Sequence, residues 1–152
     1  EIGLGIPADP LFRSRSLYPV DVKEVSHFGI MSGVWEDKKE TVLQVSTLYE
    51  KPKSSFAEEF LGVRNNEGRR EYCSVFGQYI LTAEVFAQLE ADIKAADANP
   101  DHKGEIELTS ALDAVRQRSG MYGIRLRGER YDMGNPQALV NTIATFATVE
   151  ND

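Results

Sequence analysis

Thiols, histidines and long apolar runs are scarce in this chain, and each shortage removes a class of function. Cys73 is the single cysteine, which rules out an intrachain disulfide framework and a zinc site built from several thiolates. No neighbouring histidine is there to lower its pKa, so Cys73 reads as a buried small hydrophobe rather than a nucleophile. The histidines, His27 and His102, stand far apart and suggest no metal site. No stretch approaches the roughly 20 apolar residues of a membrane-spanning helix, so no membrane partner is expected. Basic residues are also in deficit, 17 Lys and Arg against 24 Asp and Glu. A net charge of −7 argues against a sequence-independent nucleic-acid surface, which needs clustered cations to displace counterions. A cytoplasmic setting fits the lone cysteine.

What is present is an ordinary globular composition. With 41% hydrophobic and 27% charged residues, 152 residues are enough for one domain with a respectable core. Pro7, Pro10 and Pro19 exclude regular helix near the start, so residues 1–24 read as an extended N-terminal arm, and residues 25–152 as the folded unit. Gly3 and Gly5 lack the strand and helix context of a phosphate-cradling loop.

The strand-like runs Phe28 to Trp35 and Thr41 to Tyr49 flank the charged Glu36-Asp37-Lys38-Lys39-Glu40 and read as a β-hairpin with a solvated turn. Trp35 is assigned to core or hairpin packing. Residues 54–72 read as a surface excursion, an insertion that either caps a pocket or decorates the surface. Tyr72 to Leu81 is a further strand, and Thr82 is placed to cap a helix whose apolar stripe of Val85, Phe86, Leu89 and Ile93 is expected in the core. A helix from about Leu108 carries Leu112 and Val115, Met121 to Leu126 returns as a strand, and Pro136 starts a last helix bearing Leu139, Val140, Ile143 and Phe146. Alternating strands and helices imply an α/β fold: a mixed sheet with a β-hairpin and flanking helices.

Two polar clusters follow strand-like runs. Glu50-Lys51-Pro52-Lys53 leaves the end of one strand, and Arg130-Tyr131-Asp132-Met133-Gly134-Asn135 follows another. Ligands of open α/β sheets sit beyond the carboxyl ends of strands, so a Glu that accepts sugar hydroxyls beside a Lys that meets a phosphate suggests a phosphosugar site. Locally, a turn with solvated charges is the alternative.

The order of the motifs decides between them. Phe28-Gly29-Ile30, Tyr49-Glu50-Lys51-Pro52-Lys53, Gly77-Gln78-Tyr79-Ile80-Leu81, Gly104-Glu105-Ile106-Glu107-Leu108-Thr109 and Arg130-Tyr131-Asp132-Met133-Gly134-Asn135 resemble, in order and spacing, the carboxy-terminal half of bacterial UTP–glucose-1-phosphate uridylyltransferases. The resemblance runs from about Val25 to about Phe146. It implies the Rossmann-like sugar nucleotidyltransferase fold, here partial. The first half of that family is not in the sequence, and the chain starts without Met, so a piece of a longer protein is expected.

The resemblance also implies roles. Lys51 corresponds to a catalytic and substrate-binding cation that neutralises the sugar phosphate, Glu50 to an acceptor for sugar hydroxyls, and Gly29 to a bare strand position that lets the sugar approach, with Phe28 in place of the usual Tyr. Asp132 corresponds to a catalytic magnesium ligand, Met133 replacing the usual Cys. Magnesium prefers oxygen ligands and commonly combines one or two carboxylates with substrate phosphates; in the family the partner carboxylate of this Asp lies in the other half. Glu105 and Thr109 match the family's pattern, whereas Glu107 and Ser110 depart from it, which leaves a helix-start role for that segment.

The implied partners are a sugar 1-phosphate and a nucleoside triphosphate, the implied cofactor Mg2+, and the implied reaction UTP with glucose 1-phosphate to UDP-glucose and pyrophosphate. Alone, the chain is expected to be inactive. A sheet edge and an apolar face left uncovered imply a homo-oligomer. The alternatives are a thymidylyl-, guanylyl- or adenylyltransferase on a related fold, or a non-catalytic sugar-phosphate-binding or assembly module.

Overall fold

A break in the alternation of one strand sets the geometry of this fold. In Val42–Glu50 (β3), Leu43, Val45 and Leu48 are all buried, although strict alternation would put position 48 on the face opposite 43 and 45. The pairing with Gly29–Trp35 (β2) resolves the conflict: Ser32 lies opposite Thr47 and Gly33 opposite Val45, leaving Ser46 as an extra residue. This bulge flips the phase of the strand and turns Leu48 inward with the other two. Gly33 is required there, because a Cβ would stand 1.9 Å from the Gln44 carbonyl oxygen.

The computed structural model describes residues 14–99, 101, 104–127, 131 and 136–149. Ser14–Val20 (β1) leads into a 3-10 helix, Val22–His27, and then into the β2–β3 hairpin. Ser54–Phe60 (α1), the short Val63–Arg64 (β4) and Arg70–Ile80 (β5) follow, then Ala83–Asp97 (α2), Leu108–Ser119 (α3), Tyr122–Arg125 (β6) and Pro136–Val149 (α4). The strands lie in the order β1-β6-β3-β2-β5-β4, with β1 also paired to β5. The sheet thus closes on itself. β1 runs parallel to β6 and antiparallel to β5, so the sheet is mixed, as the alternation of elements implies.

The stretch read from sequence as an arm therefore differs in part. Residues 1–13 lie outside the described residues, but Ser14–Val20 is a sheet strand, with Leu17 fully buried. Pro19 is tolerated in it because fixing one φ and losing one donor does not prevent extended backbone.

Residues 54–72 build more than a surface excursion, since Ala57, Leu61, Val63 and Tyr72 are buried. Neighbouring residues serve two cores. Met31, Leu43, Leu48 and Cys73 pack with Val85 of α2 and with Leu112 and Val115 of α3. Ile30 and Tyr72, one step along their strands, pack with Val25 of the 3-10 helix and with Ala57 and Leu61. Each large aliphatic side chain taken fully from water contributes about 1.5–3 kcal/mol. Burial also pushes the Cys73 thiol up to about 12, opposed in part by the positive charge of Arg125, which matches an inert cysteine.

The helical stripe expected on α2 is only half buried. Val85 is enclosed and Leu89 partly so, but Phe86 is 58% and Ile93 46% exposed. α2 packs on α3, which covers the Val85–Leu89 ridge; Phe86 and Ile93 lie around the helix from it. Thr82 is the N-cap residue as expected, although its side chain makes no capping bond.

The charged hairpin turn is held by Asp37. Its carboxylate accepts hydrogen bonds from the Thr41 amide at 2.8 Å, the Thr41 hydroxyl at 2.6 Å and the Val42 amide at 3.0 Å. Burial alone would raise its pKa, but these bonds and one from the Lys39 amide outweigh it and hold the carboxyl below its ordinary value.

Candidate functional site

The same bulge decides where Glu50 points. Counting from Leu48, Glu50 shares the inward face, toward α3, and its carboxylate Oε2 accepts a hydrogen bond from the Thr109 hydroxyl at 2.9 Å. Glu50 also lies opposite Gly29 in the β2–β3 ladder. A Cβ on Gly29 would stand 3.0 Å from Glu50 Oε2 and 3.3 Å from Val75, so the absent side chain is what gives the carboxylate its room.

Lys51 follows in a backbone conformation that side-chain-bearing residues rarely adopt, with φ 45 degrees. The left-handed region costs an L-residue about 1–2 kcal/mol, and such conformations persist where surrounding contacts over-determine them. Here the Lys51 amide donates to the Phe28 carbonyl at 3.1 Å, and the next residue, Pro52, is fully buried. The ammonium is left in the open: Lys51 Nζ is 3.9 Å from Glu50 Oε1, its side chain 64% exposed against 33% for Glu50. An exposed pair of this kind adds little stability, and at 3.9 Å it leaves the Lys51 ammonium and Glu50 Oε1 without a hydrogen bond to each other.

A cleft of about 470 Å³ opens beside the carboxylate, lined by Tyr49, Glu50, Glu107, Thr109, Asp113 and Gln117 among others. Its size suits a monosaccharide, and its lining of carboxylates, hydroxyl and amide is the inventory that polyhydroxylated ligands pair with. Tyr49 also packs on Phe56, their ring centroids 4.7 Å apart. A second cleft of about 400 Å³ lies between α2 and α3, bordered by Asp92, Glu105 and Glu107; among the described residues neither cleft is lined by a cation, but Lys51 adjoins Glu50 of the first.

Of the residues singled out from sequence, Gly29, Glu50 and Lys51 thus lie together at one end of the hairpin. Asp132, the expected magnesium ligand, lies outside the described residues. Among the described residues, no group of three or more His, Cys, Asp or Glu side chains could hold a metal ion. The hydrogen bond from Thr109 to Glu50 has no signature in the sequence, because nothing local relates positions 59 residues apart.

A second polar cluster is equally invisible to motif reading. The Arg125 guanidinium donates to Glu40 at 3.2 Å and to Glu71, and lies 4.5 Å over the Trp35 ring. Asn65 donates to the other Glu71 oxygen at 2.9 Å. This cluster clamps β6 to the hairpin turn and to β5. Its members come from separate segments of the chain, which no spacing rule would collect.

The nucleotidyl transferase family profile matches residues 13–148. A UTP–glucose-1-phosphate uridylyltransferase of Streptococcus pneumoniae is 28% identical over 87% of this chain and 38% of its own length. One from Pseudomonas aeruginosa is 26% identical over 90% of this chain and 41% of its own. A solved UDP-glucose pyrophosphorylase complexed with UDP-glucose superposes with a TM-score of 0.66 at 25% identity, covering 90% of this chain and 44% of that one. The chain therefore spans less than half the length of the relatives it matches. Matched from residue 13 to residue 148, it belongs to the nucleotidyl transferase family.

Proposed function

We propose that this chain forms the part of a uridylyltransferase that holds the sugar 1-phosphate, in an enzyme that makes UDP-glucose and pyrophosphate from UTP and glucose 1-phosphate. The observation that carries this reading is the grouping of bare Gly29, inward Glu50 and exposed Lys51 beside a monosaccharide-sized cleft. Nucleotidyl transfer needs no side-chain nucleophile, because one phosphate supplies the attacking oxygen and another leaves; what remains is positioning and neutralisation of charge. Glu50 accepts hydroxyls of the sugar, Gly29 lets the ring approach, and Lys51 sets a point charge against the sugar phosphate.

Asp132 is assigned, on resemblance, one carboxylate contact to Mg2+, which would neutralise phosphate charge when bound. A single carboxylate fits that ion only as part of a set completed by phosphates and other oxygens. Since the chain spans under half of its relatives, nucleotide recognition is assigned to the remainder, and this segment alone is expected to be inactive. A homo-oligomer is proposed on the exposed apolar residues of α4.

A product assay on the whole protein with UTP, dTTP, GTP and ATP in competition, and glucose 1-phosphate as acceptor, tests the reading. UDP-glucose as the main product is expected. Exclusive use of another triphosphate would move the assignment to a related nucleotidyltransferase, and no sugar nucleotide at all would leave a sugar-phosphate-binding module.

A further inference from the structure

We propose that Thr109 is a positioning residue: its hydroxyl fixes the rotamer of Glu50 so that one carboxylate oxygen is committed to the protein and the other is left for the sugar. This rests on the reading of Glu50 as the sugar-hydroxyl acceptor. Oε2 is engaged, since it accepts the Thr109 hydroxyl at 2.9 Å and sits 3.0 Å from where a Gly29 side chain would begin. Oε1 has the Lys51 ammonium at 3.9 Å, beyond hydrogen-bond distance. A glutamate at a strand end, one-third exposed, would otherwise exchange among rotamers.

Thr109 suits this task for two reasons. As a helical threonine it divides its χ1 between two wells, and the bond to Glu50 selects the one that carries the hydroxyl across to the strand end. It also lies in the first turn of α3, 12 residues long, whose N-cap residue Glu107 makes no side-chain capping bond; the positive end of that helix favours the Glu50 carboxylate as well. Thr109 and the inward turn of Glu50 at the β3 bulge thus form one device. The bulge selects the face, and the hydroxyl selects the rotamer.

The test compares Thr109→Val, which keeps the shape and removes the donor, with Thr109→Ser, which keeps the donor, in the whole protein. Thr109→Val is expected to raise KM for glucose 1-phosphate about tenfold, the effect of losing one hydrogen bond to a charged group. KM for UTP should stay unchanged, and Thr109→Ser should stay near the parent. Added to Glu50→Ala, Thr109→Val should cost nothing further, because its effect passes through the Glu50 side chain. An unchanged sugar KM in Thr109→Val, an equal loss in Thr109→Ser, or full additivity with Glu50→Ala would each overturn the proposal. Should Thr109→Val fail to fold, Thr109→Ala is judged by the same criteria. If Glu50→Ala itself leaves the sugar KM unchanged, the reading of the site falls; if Glu50→Ala raises it and Thr109→Val does not, only the role of Thr109 falls.

Discussion

Gly29 stands opposite Glu50 across the β2–β3 ladder, and a methyl group on Gly29 would sit 3.0 Å from the Glu50 carboxylate. The neighbour that must give is the far end of a flexible side chain, so Gly29→Ala should fold and displace Glu50. Displacement of a positioning group is expected to raise KM for glucose 1-phosphate about tenfold, with little change in thermal midpoint. Gly33→Ala is the contrast: its Cβ meets a backbone carbonyl at 1.9 Å, and overpacking against backbone should destabilise the fold by at least about 1–3 kcal/mol. Paired melting curves and kinetics separate the two. Equal melting losses would mean that Gly29 is a packing residue.

Lys51→Ala should weaken use of the sugar phosphate more than use of UTP. Removing a charge-assisted hydrogen bond to the ligand costs about 1.5–3 kcal/mol, or roughly tenfold to a hundredfold in KM. Its exposed pair with Glu50 contributes little to stability, so the melting temperature should hardly move. Unchanged kinetics for glucose 1-phosphate in the folded variant would remove Lys51 from the site.

Acid should loosen the hairpin turn through Asp37. Its folded pKa lies below the ordinary 3.8, so the folded state binds the proton less readily than the unfolded chain. The stability it contributes is therefore complete above about 3.8 and is lost as pH falls through the lowered folded value. Asp37→Asn should cost stability at pH 7 and lose its disadvantage in that acid window. Denaturant titrations of both forms at neutral and acid pH check this; a pH-independent difference would show that shape, not charge, matters at the turn.

Leu139, Val140, Ile143 and Phe146 on α4 are between 39% and 59% exposed. An apolar face of this kind favours association, so light scattering is expected to show a dimer or larger species. Val140→Glu with Ile143→Glu should shift it toward monomer, and a parent that stays monomeric at high concentration would contradict the association.

Much of this fold is legible in local pattern. Pro136 begins α4 and Leu108 begins α3, as their sequence signals imply, because helix-start chemistry and 3.6-residue periodicity are local. The closure of the sheet is not, since Leu17, isolated among prolines, reveals nothing about its pairing with Val75 and Arg125. The exposure of Phe86 is hidden for a related reason: periodicity shows that a ridge is apolar, and only the packing of the neighbouring helix shows whether it is covered. The β3 bulge is hidden too: Val42 and Leu48 share one parity, Leu43, Val45 and Tyr49 the other, so apolar residues fall on both faces and only the burial and register of the folded strand reveal the slip that aims Glu50. The partner of Glu50 on α3 has no local signal at all.

The closed circuit of strands constrains the order in which the molecule can be made. β1 is the first described strand, yet Ser14 lies beside Tyr122 of β6 and Ile80 of β5, so its partners are synthesised long after it. Pairing at such separation carries a large loop-closure entropy and slows folding relative to the local β2–β3 hairpin. Among the described strands, β1 finds its first partner only when β5 has been made and its second only when β6 has. The hairpin that carries Gly29, Glu50 and Lys51 pairs within itself, so the backbone of the candidate site depends on local contacts and the ring on distant ones.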